Sequence, residues 1–185
     1  MSAHANSLAH CLNALEVSAA HVVAHSMGGA VAVHLTSQHP DLVSALTLLE
    51  PVLEPSDSPT GLRAAVARHS EEECVNAGME EFLDWAGSTW SATLRWASPR
   101  ALHRSALSLH DTSSSGTSQM LRDLPLPRQL LMGADSPAYP AYDGLVASGV
   151  RMVRVPNAGH NISLENPLVT AEMLSEFAAL TSPKV

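Results

Sequence analysis

Apolar positions recur at helical spacing from the start of the chain. Leu8, Cys11, Leu12 and Leu15 fall on one face of a predicted helix over residues 2–17. A short apolar run, His21-Val22-Val23-Ala24, reads as a strand and breaks off at His25-Ser26-Met27-Gly28-Gly29. Helical spacing returns from Gly29 to Gln38, through Ala30, Val33, His34 and Ser37, and Pro40 forbids its continuation. Val43 to Leu49 reads as a second, buried strand, closed by Glu50-Pro51. A chain that alternates helix and strand in this way builds a parallel sheet with covering helices.

The middle of the chain changes character. Pro51 to Pro59 is a proline- and acid-rich connection, followed by four predicted helical pieces: 61–69, 71–86, 88–97 and 99–110. Ser70 with Glu73 forms the S-x-x-E capping box that marks a helix start. Ser98-Pro99 sets a capping residue before a first-turn proline. Asp111 to Ser118 is so rich in serine and threonine that it reads as a flexible exit loop. Alternation then resumes, with strands at 128–132 and 149–155 and helices at 137–147 and 166–180. Expected, therefore, is an α/β core of about four parallel strands made from residues 1–50 and 125–185, interrupted by a helical block over 51–124.

Composition narrows the partners. Among 185 residues, 45% are hydrophobic and 15% charged, enough apolar material for one sizeable core and too few charges for a disordered chain. Eighteen acidic side chains against ten basic ones give a net charge of −8, which argues against nucleic acid and against an anionic membrane surface. No apolar run approaches the roughly 18 residues of a membrane span. Cys11 and Cys74 are the only cysteines; 63 positions apart, they form no disulfide framework or CxxC motif and read as small buried or half-buried side chains. The first residues lack the basic start and apolar run of a signal peptide, so a cytoplasmic setting is the expectation.

The chemistry concentrates at Val22-Val23-Ala24-His25-Ser26-Met27-Gly28-Gly29, a strand turning abruptly into a helix with a serine at the bend. A nucleophile on so tight a turn strains its backbone, and small residues flank it so that strand and helix can pass. The serine hydroxyl then stands above the sheet, and the backbone N–H of Met27 points to where an oxyanion would form. This segment resembles the nucleophile elbow of the α/β-hydrolase family, with Ala24 where that family usually has glycine. Val155-Pro156-Asn157-Ala158-Gly159-His160 resembles the turn on which the family carries its catalytic histidine, after the last strand. A serine hydroxyl needs an adjacent base, and His160 is the candidate. His25, His34 and His39 read as supporting or surface residues, and His103 with His110 as a solvated helix face. No histidine forms a metal-binding pattern.

The third member is open. The family's G-x-x-D pattern finds Gly133-Ala134-Asp135-Ser136 here, so Ser136 stands at the expected acid position and Asp135 one residue early. Glu50, at the end of the preceding strand, is the alternative. The resemblance further implies that residues 51–124 are a cap or lid. There Trp85, Trp90 and Trp96, with Phe82 and Met79, either line an acyl-substrate pocket or pack the helices together. It implies a serine hydrolase acting on a small or medium carboxylic ester, or a related acyl compound, without metal or organic cofactor. A truncated binding domain and a cofactor-free lyase or acyltransferase are the rival readings. It covers the later part of a usual family member, without the early loop that gives a second oxyanion donor. An uncovered sheet edge at residues 21–24 would follow, and with it a route to a dimer.

Overall fold

Local chemistry sets the first crossover. β1 (Ala20–His25) ends on one residue, Ser26, and α1 (Ser2–Ala14) precedes it; α2 (Met27–Gln38) starts at once after the bend. The structure, a computed structural model, describes residues 1–54, 68–78, 80, 83–84, 92–114, 116–139 and 141–182. The chain divides into two units, Met1–Glu54 with Gly116–Val185, and Pro55–Ser115.

In the first unit a single-turn 3₁₀ helix, Pro40–Leu42, leads into β2 (Val43–Leu49). The chain returns through α4 (Thr117–Asp123) to β3 (Arg128–Gly133), then α5 (Tyr142–Ala147), β4 (Arg151–Val155), α6 (Ile162–Glu165) and α7 (Pro167–Thr181). The label α3 belongs to Pro99–Ser114 of the second unit. The four strands pair in parallel in the order β1-β2-β3-β4, the α/β architecture that the alternation predicts.

Period-two alternation sends the strand residues to two cores. Leu46, Leu48, Leu130 and Met132 pack on one face with Ala32 and Val33 of α2, Leu121 of α4 and Leu145 of α5. Leu49, Leu131 and Val155 pack on the other with Ile162 and, from α7, Val169, Met173 and Leu174. Ala5 and Ala9 of α1 seal the outer side of α2 against Leu35. β2 is buried along almost its whole length, whereas β1 lies at the margin and leaves Val23 44% exposed.

Several expectations are corrected. Asp111–Ser114 continue α3, and Thr117 and Ser118 open α4, with Gly116 before them at φ 90°. The helix expected over 137–147 begins only at Tyr142, because prolines at 137 and 140 interrupt its first turns. Cys11 is exposed while Cys74 is buried. His103 is buried rather than solvated, its Nε2 donating to the His69 carbonyl at 2.8 Å.

In the second unit the predicted capping box forms. Glu73 N–H donates to Ser70 Oγ at 3.2 Å, and Ser70 N–H donates to the Glu73 carboxylate at 2.7 Å. It caps one helical turn, Glu71–Glu73, which widens into a π-turn at Cys74–Gly78. Cys74 and Ala106 form a small core there with Leu94 and Leu102. Residues 61–67 of the helix expected over 61–69, 88–91 of that over 88–97, and part of that over 71–86 lie outside the described residues.

Candidate active site

Parallel strands end on the same side of a sheet, so the turns after β1, β2 and β4 meet there. Each holds a non-glycine residue at left-handed φ: Ser26 (52°), Glu50 (45°) and Asn157 (51°). Such backbone costs on the order of 1–3 kcal/mol per residue and persists only when its surroundings hold it. At Ser26 the hold is visible. Its N–H donates to the Leu49 carbonyl (2.9 Å), and its own carbonyl accepts from Gly29 (3.0 Å) and Val52 (3.2 Å). The crowded glycine of the elbow is Gly29, where a Cβ would lie 2.6 Å from Pro51 Cβ; one at Gly28 would meet only Ala24 Cβ, at 3.9 Å. A methyl at position 24 is therefore accommodated. As first residue of α2, Met27 has an N–H without an intrahelical acceptor.

Ser26 Oγ lies 3.1 Å from His160 Nε2. On the other side of the ring, His160 Nδ1 lies 3.7 Å from Glu50 Oε2. That is ion-pair range, and such contacts commonly tighten when substrate binds. If Nε2 accepts the serine proton, the ring proton sits on Nδ1 and faces Glu50. The Glu50 side chain is 7% exposed, against 52% for His160. Gly133 N–H donates to Glu50 Oε1 at 2.5 Å, because pairing of Leu49 with Leu131 brings the end of β2 beside the end of β3. Burial alone would raise the Glu50 carboxyl. The His160 ring, the Gly133 N–H and the Ser136 hydroxyl outweigh it and hold the group below the usual carboxylate range.

Asp135 is exposed, and its side chain makes no ion pair with His160 among the described residues. Its contribution is backbone: Asp135 N–H donates to the Ala158 carbonyl at 3.0 Å. The two sequence candidates for the acid thus stand in unlike places, Glu50 against the imidazole and Asp135 in solvent. Trp96 is 92% exposed, which removes it from any packed seam of its unit; Trp85, Trp90, Phe82 and Met79 lie outside the described residues.

Two residues, Arg154 and Glu165, escape the sequence reading, and Gly133 enters it only as the start of a motif. Arg154 Nη1 donates to the Gly133 carbonyl (2.6 Å) and the Ser136 carbonyl (3.2 Å), clamping the turn that faces Glu50. Glu165 accepts the Gly159 N–H at 2.5 Å and pins the histidine turn from below. Gly133 must lack a side chain, since a Cβ there would overlap the Ala158 and Gly159 carbonyl oxygens. Gly133 alone had a signal, as the first residue of G-x-x-D; nothing local marks the other two. No group of three or more His, Cys, Asp or Glu side chains among the described residues could hold a metal ion.

The model of the Alpha/beta hydrolase family matches residues 3–173. The chain belongs to that family. Solved structures place the fold in the same company. One is a thermophilic esterase from Thermogutta terrifontis, at 19% identity and a TM-score of 0.74 over 97% of this chain and 72% of that one. Another is the esterase from Exiguobacterium antarcticum, at 17% identity and TM-score 0.71 over 95% and 72%. The enol-lactonase from Burkholderia xenovorans LB400 aligns at 17% identity and TM-score 0.69 over 95% and 71%. No curated protein matches the sequence. Membership of the alpha/beta hydrolase family makes this an enzyme of hydrolase type.

Proposed function

We propose that this alpha/beta hydrolase cleaves a small or medium carboxylic ester, or a related acyl compound, with Ser26 as nucleophile, His160 as base and Glu50 as the acid that orients it. The observation that carries the reading is the 3.1 Å approach of Ser26 Oγ to His160 Nε2. Supporting it is the buried, ionised Glu50 on the far nitrogen of the same ring. Two of the similar solved structures are esterases and one is an enol-lactonase, which favours acyl chemistry.

In this mechanism Ser26 Oγ attacks the acyl carbon as its proton passes to His160 Nε2. The carbonyl electrons move to oxygen, where the Met27 N–H receives the charge. Collapse breaks the ester C–O bond, and the leaving alkoxide takes the proton from Nε2. Water then attacks the acyl-serine by the same route, regenerating the hydroxyl and releasing the acid. Glu50 keeps the ring in the tautomer that presents a bare Nε2 and stabilises the transient imidazolium.

Labelling with a fluorophosphonate probe tests the proposal, because only an activated serine reacts. Stoichiometric labelling at Ser26, abolished by Ser26→Ala and slowed by His160→Ala, is the expected result. Folded wild-type protein that stays unlabelled would end the serine-hydrolase reading.

A further inference from the structure

His25 lies next to the nucleophile in sequence, at the end of β1, and its ring turns toward the histidine turn beyond β4. Its Nε2 lies 2.8 Å from the backbone carbonyl oxygen of His160. The two imidazoles face each other with centroids 4.9 Å apart, tilted by 48°. A carbonyl only accepts, so the proton of this bond belongs to His25 Nε2, and its Nδ1 is the bare nitrogen in the neutral ring.

This contact closes a circuit. Ser26 Oγ meets the side chain of His160, and the adjoining His25 holds the main chain of that same residue. The bond bears on a base whose side chain is 52% exposed, on a turn whose Asn157 takes left-handed φ. Asp135 N–H and the Glu165 carboxylate hold that turn at Ala158 and Gly159, and the N–H groups of Leu164 and Glu165 hold Asn161 beyond it; the His25 bond falls on His160 itself.

We infer that His25 is a positioning residue, whose Nε2–H fixes the backbone of His160 and so sets the distance between base and nucleophile. The inference deepens the proposed function and rests on it, since the geometry it protects is that of the Ser26–His160 pair. Misplacement of a reacting group by about 1 Å can cost on the order of a hundredfold in rate. Loss of this bond therefore lowers the rate by roughly ten- to a hundredfold while leaving substrate affinity nearly unchanged.

The test compares His25→Phe, which keeps a ring and removes the donor, with His25→Gln, which restores an N–H near Nε2. The measurements are the second-order rate of fluorophosphonate labelling, and kcat and KM on a p-nitrophenyl ester. Expected are slow labelling and low kcat in His25→Phe at near-normal KM, with most of the loss recovered in His25→Gln. Wild-type-like labelling of His25→Phe, or equal loss in both variants, overturns the positioning role and leaves the proposed function standing. A wild type that folds but does not label removes the proposed function, and this role falls with it. Nitrogen-15 NMR of the wild-type imidazoles at alkaline pH needs no variant: a neutral His25 protonated on Nδ1 instead of Nε2 also overturns the inference.

Discussion

The ends of β2 and β3 each present a carboxylate, and the two have opposite fates. Glu50 is buried, receives the Gly133 N–H and faces the His160 ring; Asp135 projects into solvent and serves through its backbone. They belong to neighbouring strands paired from Leu46–Arg128 to Leu49–Leu131, so the difference does not lie in the sheet. It lies in which side chain the neighbouring groups can enclose. A carboxylate orients an imidazole only if it stays ionised in a place where water competes weakly, and that takes donors around it. Among the described residues Glu50 has them, while Asp135 stands exposed to water.

Glu50→Gln is the variant expected to do most damage, because an amide can favour the wrong tautomer of His160. Loss of the corresponding acid in a serine triad costs about 10⁴-fold in kcat. Steady-state kinetics on a chromogenic ester check this, and a loss of less than about tenfold would reverse the ranking of the two acids. Transferring the carboxylate sharpens the comparison: Ser136→Asp in a Glu50→Ala background should recover part of the lost rate, since the Ser136 hydroxyl already bears on Glu50.

Gly133→Ala comes next, for it strikes the groups that enclose Glu50. The added methyl must displace the Ala158 and Gly159 carbonyls, and overpacking of this kind costs on the order of 1–3 kcal/mol, read as a lowered thermal midpoint. Activity should fall further than stability, because the displaced turn carries His160.

Acid pH is a milder probe. The folded Glu50 carboxyl titrates below its ordinary value of 4.5, so the unfolded chain binds more protons near that pH. The stability that Glu50 contributes is complete above the unfolded value and is lost as pH falls through the folded one. Thermal midpoints measured downward from neutral pH should therefore drop more steeply in the wild type than in Glu50→Gln. The smallest effect belongs to Asp135→Asn, with kcat within about twofold of wild type and stability within about 0.5 kcal/mol.

Where chemistry is local, the sequence carries it. The bend at Ser26 shows in a strand that meets Met27-Gly28-Gly29 without a spacer, and His160 in a glycine turn after the last strand. The acid was not separable by the same means, because Ser136 occupies the usual place and Glu50 reaches His160 only through pairing of Leu49 with Leu131, some 80 residues apart. Composition is a poor guide at Asp111–Ser118: serine and threonine favour loops only weakly, and here Asp111–Ser114 stay helical while Gly116, with its left-handed φ, caps the start of the next helix. Crowding at Gly29 rather than Gly28 depends on Pro51, and His103 is buried through a bond to the His69 carbonyl; neither relation is local.

Ser26, Glu50 and Asn157 share a positive φ that each would abandon in a free peptide. What keeps them is the sheet, through bonds such as Ser26 N–H to Leu49 and Glu50 N–H to Leu131. On warming, these bends have the most to gain from slackening and are expected to relax before the strands beneath them part. Labelling of Ser26 by a fluorophosphonate should therefore fall at temperatures where circular dichroism still reports an intact fold.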